Sequence, residues 1–168
     1  VTLGGEWANL QGWQFSWEAY YKWMNNLVTY AEGSSFLNDW EQSTTTGSGK
    51  ARGIDFSLGR MSKANQWQIS YSLAWAERRF PLVNLGNPYP FKYDRRHDLK
   101  VLAKQNIGNR LSLQATWLFS TGLAFSLPIE AYTVQFPGIP PVVVLDYGGK
   151  NQFRLPQYHR LDLGLTWV

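Results

Sequence analysis

A residue-by-residue alternation of apolar and polar side chains runs along nearly the whole chain, and no other feature limits its fold as much. Trp67, Ile69, Tyr71, Leu73 and Trp75 are interleaved with Gln68, Ser70, Ser72, Ala74 and Ala76, so one set is greasy and the other small or polar. A period of two is the signature of an extended strand, whose successive side chains point to opposite faces; a helix needs apolar positions spaced three and four apart. The same pattern sets Trp13, Phe15, Trp17, Ala19, Tyr21 and Trp23 against Gln14, Ser16, Glu18, Tyr20, Lys22 and Met24. It sets Leu111, Leu113, Ala115, Trp117 and Phe119 against Ser112, Gln114, Thr116, Leu118 and Ser120, and Leu161, Leu163, Leu165 and Trp167 against Arg160, Asp162, Gly164 and Thr166. Weaker versions lie at Val1 to Ala8, at Ile54, Phe56 and Leu58, and at Leu99, Val101 and Ala103, which makes seven predicted strands.

The connections fall into two classes that alternate. Short ones lie at Asn9 to Gly12, Ser62 to Gln66 and Asn106 to Arg110, the last with the Gly and Asn of a tight hairpin turn. Long ones run from about Ala31 to Lys50, from Pro81 to Asp94 and from Ser126 to Tyr158. The first holds the tract Ser43 to Gly49, which reads as a flexible loop. Short turns at one rim and long loops at the other describe an outer-membrane barrel, with periplasmic turns and extracellular loops.

Composition supports that reading over a soluble one. Aromatic residues are 16% of the chain and charged residues 17%, with nine each of Trp, Tyr and Phe. The competing architecture is an antiparallel sandwich whose aromatic face packs on a second sheet. Against it, the apolar sets are Trp-rich strand after strand, and the opposite faces carry Gln, Ser, Thr, Lys and Asp where a second core would be needed. No apolar run approaches the roughly 20 residues of a transmembrane helix. The sixteen Lys and Arg are dispersed, so no nucleic-acid face is expected. Cysteine is absent and the two histidines are far apart in sequence, so no metal site and no cofactor is expected. Val1 to Glu6 lacks the charged and apolar regions of a secretory signal, so the expectation is that maturation removed one or that the chain is a fragment. Bacterial single-chain barrels use an even number of strands and begin at eight, so seven are expected to be part of a larger closed wall.

Four strings resemble a known family, the TonB-dependent receptors of Gram-negative outer membranes, in particular those whose precursors often carry a carboxypeptidase-like regulatory domain. Glu18-Ala19-Tyr20-Tyr21-Lys22-Trp23-Met24-Asn25-Asn26-Leu27, continuing to Tyr30-Ala31-Glu32-Gly33, resembles a late barrel strand and its loop. Gly49 to Asp55 resembles the entry of the next strand, Tyr93 to Leu99 a strand start below an extracellular loop, and Arg154 to Gly164 the descent into one of the last strands. The resemblance implies an all-β fold, an antiparallel up-and-down transmembrane β-barrel segment of about seven strands from a larger, 22-stranded barrel. Residues 1–168 would be a partial barrel domain without plug or closing strands. It implies localisation in the cell outer membrane and active transport of a scarce solute, an iron chelate, cobalamin, glycan or peptide, energised through TonB. The implied partners are outer-membrane lipid, the remaining barrel and plug, TonB through the plug, the small solute and, as a further class, a surface lipoprotein. The alternative is a passive porin or a small outer-membrane barrel or adhesin; a soluble β-rich binding module is a third class.

Nothing in the residues points to catalysis, since neither histidine has a Ser-His-Asp or metal arrangement near it. The cluster Asp94-Arg95-Arg96-His97-Asp98 reads as a strand entry whose charges pair across the rim and hold a long loop down, and Tyr158-His159-Arg160 reads the same way. Solute capture by a barrel falls to loop aromatics, and the candidates are Trp40, Tyr89, Tyr93, Tyr132, Phe136 and Tyr147.

Overall fold

The computed structural model describes residues 1–34, 39, 41, 43–62 and 64–167. Among the described residues the chain folds as strands with one 3-10 turn at Asn84–Gly86, and none of them forms a helix long and apolar enough to cross a membrane. In chain order the strands are β1 (Thr2–Ala8), β2 (Trp13–Tyr30), β3 (Thr44–Met61), β4 (Asn65–Arg79), β5 (Tyr89–Pro90), β6 (His97–Ile107), β7 (Leu111–Ser120), β8 (Ala124–Phe125), β9 (Glu130–Val134), β10 (Val142–Asp146), β11 (Phe153–Arg154) and β12 (Tyr158–Trp167). Seven of them form one antiparallel meander in the order β1-β2-β3-β4-β6-β7-β12, the seven predicted from alternation. The sheet does not close on itself: β1 and β12 are its two edges.

Register shows that the alternation is shared across the wall. One row runs Trp7, Phe15, Leu58, Ile69, Val101, Trp117 and Leu161, each the direct partner of the next. The adjacent row runs Glu6, Ser16, Ser57, Ser70, Lys100, Leu118 and Arg160. Directly opposed residues in an antiparallel pair lie on one face, so a single slip would scramble both rows. Trp13, Phe15, Trp17, Trp67, Ile69, Tyr71, Trp75, Leu111, Leu113, Trp117, Leu161, Leu163 and Trp167 therefore share a face, as the sequence predicts. The polar face is the concave one. A trough of about 730 Å³ runs along it, with Glu6, Gln14, Ser16, Gln68, Lys104, Gln114 and Thr116 among its lining residues.

The wall has no interior of its own. Leu163 is 75% exposed and Trp7 56% on the apolar face, and no second sheet covers them. The buried apolar side chains among the described residues, Phe80, Val83, Tyr89 and Ala124, all lie in the long connections. An apolar face this extensive is stable only in an apolar solvent.

Three local features depart from the sequence reading. The tract expected to be a flexible loop begins β3 instead, so that β2 and β3 are each 18 residues long and rise above the ten or so needed to cross a bilayer. Threonine favours strands, and the glycines that made the tract look loop-like have a steric reason given below. Second, β2 is broken by a bulge between Met24 and Leu27, with Asn26 at φ 56°, a left-handed conformation that Asn tolerates better than most residues. The bulge reverses the parity of the strand, turning Leu27 to the concave side while Val28 and Tyr30 stay exposed. Third, the connection read as one long loop from Ser126 to Tyr158 contains the hairpin β9–β10, and β8 pairs with β11 at its base.

Candidate functional site

The long connections gather at one rim, opposite the short turns, and two of them build a ceiling over the concave face. Residues 80–96 leave β4, and β5 folds back to pair Tyr89 with Arg78 and Pro90 with Glu77. Phe80, Val83 and Tyr89 pack together against Leu27, the residue turned inward by the bulge. The inner side of β3 is hollowed to receive them. A Cβ on Gly47 would lie 2.2 Å from the Arg79 carbonyl oxygen and 2.5 Å from the Phe80 ring, and one on Gly49 would lie 2.2 Å from the Arg78 guanidinium. Glycine at these positions is a clearance for the folded-in loop. Arg78 completes the packing, with its guanidinium 4.3 Å from the Phe91 ring centroid and 3.2 Å from Met24 Sδ.

A strap from the last long connection crosses this loop. The Lys150 amide donates to Asn84 Oδ1 at 2.9 Å and its ammonium reaches Glu32 Oε1 at 3.3 Å, while Glu32 Oε2 accepts the Asn84 amide at 3.1 Å. Asn151 Nδ2 donates to the Pro90 carbonyl at 2.8 Å. Further along, Arg154 donates to the carboxylate and to the carbonyl of Asp94. Asp94 is 2% exposed, and its carboxylate also receives the Ala76 amide at 2.7 Å and Arg96 at 3.3 Å. A buried carboxylate with one backbone and two guanidinium donors is a satisfied charge. The cluster at residues 94–98 therefore holds down a loop, in line with its sequence reading. Arg95 pairs with Asp98 at 3.6 Å, and the Thr121 hydroxyl accepts the Arg96 and His97 amides at 2.9 and 3.0 Å. Arg160 pairs with Asp162 at 2.8 Å.

The predicted solute-contacting aromatics are spread over this ceiling. Tyr89 is 6% exposed and is part of the loop core; burial pushes its hydroxyl above the usual phenol range, with Arg78 opposing and Glu32 reinforcing the shift. Tyr93 is 62% exposed, edge-on to Phe91 at 5.3 Å with the Lys92 ammonium 4.8 Å from its own ring. Tyr132 on β9, Phe136 at the hairpin turn and Tyr147 just beyond β10 are all exposed. Trp40 lies outside the described residues. The hairpin that carries Tyr132 and Phe136 is clamped at its foot, where the Ile129 amide donates to the Asp146 carbonyl at 2.7 Å and the Asn151 amide to Ser126 Oγ at 2.9 Å. Sequence reasoning missed Glu32, Asn84, Lys150 and Asn151, which tie the loops together, and their residue types alone carried no signal for it.

Among the described residues no group of three or more His, Cys, Asp or Glu side chains could hold a metal ion. The site is a mouth: a ceiling of pinned loops, an exposed aromatic arm, and below them a trough floored by amides and hydroxyls in which Gln68 Nε2 lies 3.3 Å from both Ser57 Oγ and Ser70 Oγ. Neither a curated protein nor a solved structure gives a significant match. The family model described as TonB dependent receptor-like, beta-barrel, matches residues 1–168. The whole described sheet carries the two-faced register that such a barrel requires, and the chain belongs to the TonB-dependent receptors, outer-membrane transport proteins, as part of their β-barrel.

Proposed function

We propose that this chain forms wall and external mouth of a multi-pass outer-membrane transporter that takes up a scarce solute, energised through TonB acting on a plug seated against the concave face. One observation carries the reading: the row from Glu6 to Arg160 on the concave face is polar at every strand but β7, where Leu118 stands, while the row beside it is wholly apolar. A wall of this kind separates lipid from a wet lumen. The unpaired edges of β1 and β12 call for further strands, from the rest of the receptor barrel or from other chains, because an open sheet edge is not tolerated in hydrocarbon. The exposed aromatics Tyr93, Tyr132, Phe136 and Tyr147 supply stacking surfaces for an iron chelate, cobalamin, glycan or peptide. A surface lipoprotein that covers the mouth would meet the same residues.

The test is accumulation of radiolabelled solutes from the four classes by cells with the full-length receptor, with and without TonB. Uptake of one class that stops when TonB is removed is the expected result. Uptake that continues unchanged without TonB would favour the passive porin.

A further inference from the structure

We propose that the outward face carries a docking place for the phosphate of an anionic lipid headgroup, at the edge of the apolar band nearest the long loops. The inference rests on the reading of that face as lipid-facing. Arg52 and Trp75 are direct cross-strand partners on it, and two guanidiniums stack on the one indole: Arg52 at 5.5 Å and Arg96 at 4.8 Å from the ring centroid. Lys50 follows on the same face of β3, paired in register with Trp23 and Glu77.

The charge there is not balanced by the protein. Arg52 and Lys50 have no ion pair among the described residues, and Arg96 shares the single Asp94 carboxylate with Arg154. Glu77 is the one outward acid in register with this group. Arg60, over Trp13 at 5.3 Å, is the one cationic strand position at the other edge of the outward band. Positive charge is thus concentrated on one side of the band. Outward arginines near an interface are tolerated because the stem lies along apolar surface while the head reaches water. A guanidinium held by an aromatic face has lost little freedom still to lose, and its fork matches phosphate oxygens. The group points away from the trough, so the transported solute is not its occupant. A phosphate fixed at the depth of the interface, with its acyl chains along Ile54, Phe56 and Leu73, meets both the charge and the apolar surface below it.

The experiment places the full-length receptor in nanodiscs of phosphatidylcholine doped with phosphatidic acid, and counts retained lipids by native mass spectrometry after release into detergent. Phosphatidic acid should be enriched over its share of the disc. Each removed cation should lower retention about fivefold, so Lys50→Gln with Arg52→Gln together should lower it roughly 25-fold. Arg52→Lys should restore most of the single loss and Arg60→Gln should change nothing. Excess inorganic phosphate should leave the lipid in place. Equal retention by wild type and double variant, or displacement of the lipid by inorganic phosphate, overturns the inference while leaving the barrel intact. A receptor that fails to enter the disc overturns the inference together with the membrane reading on which it rests.

Discussion

The wall and the ceiling are built from the same chain by opposite means. In the wall nearly every side chain is at a surface, Thr45 and Ser120 at the loop ends of β3 and β7 being buried, and rows such as Trp7 to Leu161 have only the neighbouring strands and the surrounding solvent to rest on. The ceiling has what the wall lacks: a small buried cluster of Phe80, Val83 and Tyr89, and a buried Asp94 met by donors from three segments. The wall is therefore a structure of its membrane, and the ceiling resembles a fragment of a water-soluble protein fixed to the wall. Changes that alter the wall's solvent should be severe and global, and changes in the ceiling should be local.

The sharpest way to break this contrast is a pair of neighbours on β6. Val101 faces outward between Ile69 and Trp117, and Leu102 faces the trough beside Gln68 and Thr116. Val101→Arg should cost the full-length receptor about 2–4 kcal/mol in lipid vesicles if it lies near the midplane, and Leu102→Arg much less. Urea unfolding measures both; equal losses would mean that the faces are not lipid and water. Next, Asp94→Ala should cost about 2 kcal/mol, because it leaves Arg96, Arg154 and the Ala76 amide without their acceptor, discounted for guanidiniums that are about one-third exposed. The loss should appear as faster proteolysis within residues 80–96 while the barrel keeps its resistance to unfolding. Gly47→Val tests the clearance behind the ceiling. Its side chain would collide with Phe80 and the Arg79 carbonyl, an overpacking worth about 1–3 kcal/mol, and exchange of loop amides should quicken with the lower strands unchanged. Smallest is Lys150→Ala. Its pair with Glu32 is exposed and should contribute under about 1 kcal/mol, vanishing in high salt.

The same contrast explains what the sequence revealed. Wall strands announce themselves because each residue's environment depends on its parity, so Trp67 to Trp75 can be sorted into faces without knowing any partner. The ceiling depends on contacts between residues far apart: Lys150 with Glu32, Asn151 with Pro90, Arg154 with Asp94. No local period encodes these, and an Asn or Lys in a loop looks the same whether it ties two segments or faces water. The tract Thr44 to Gly49 misled for a related reason. Its glycines, a loop signal in isolation, make room for Arg78 on β4 and for Phe80 just beyond it. The hairpin β9–β10 did carry a local signal, the Val run 142–144 opposite Tyr132 and Val134 across a Pro-Gly turn, but it was hidden inside a connection judged by its length. The solute-contacting aromatics could be nominated by residue type, yet only the fold distinguishes Tyr89, packed inward, from Tyr132 and Phe136 on the arm.

The bond between Asp94 and Arg154 joins residues 60 positions apart, and the paired strands β6 and β7 lie between them. A contact of that separation has a closure entropy that strand pairing must first offset, so it can persist only once β6 and β7 are docked against the wall. The latch is thus a timer as well as a fastening. In a chain being assembled strand by strand, the moment when Asp94 becomes shielded marks the docking of β6 and β7 beneath it, so a latched mouth reports that this part of the wall has formed while β12 has still to pair with β7.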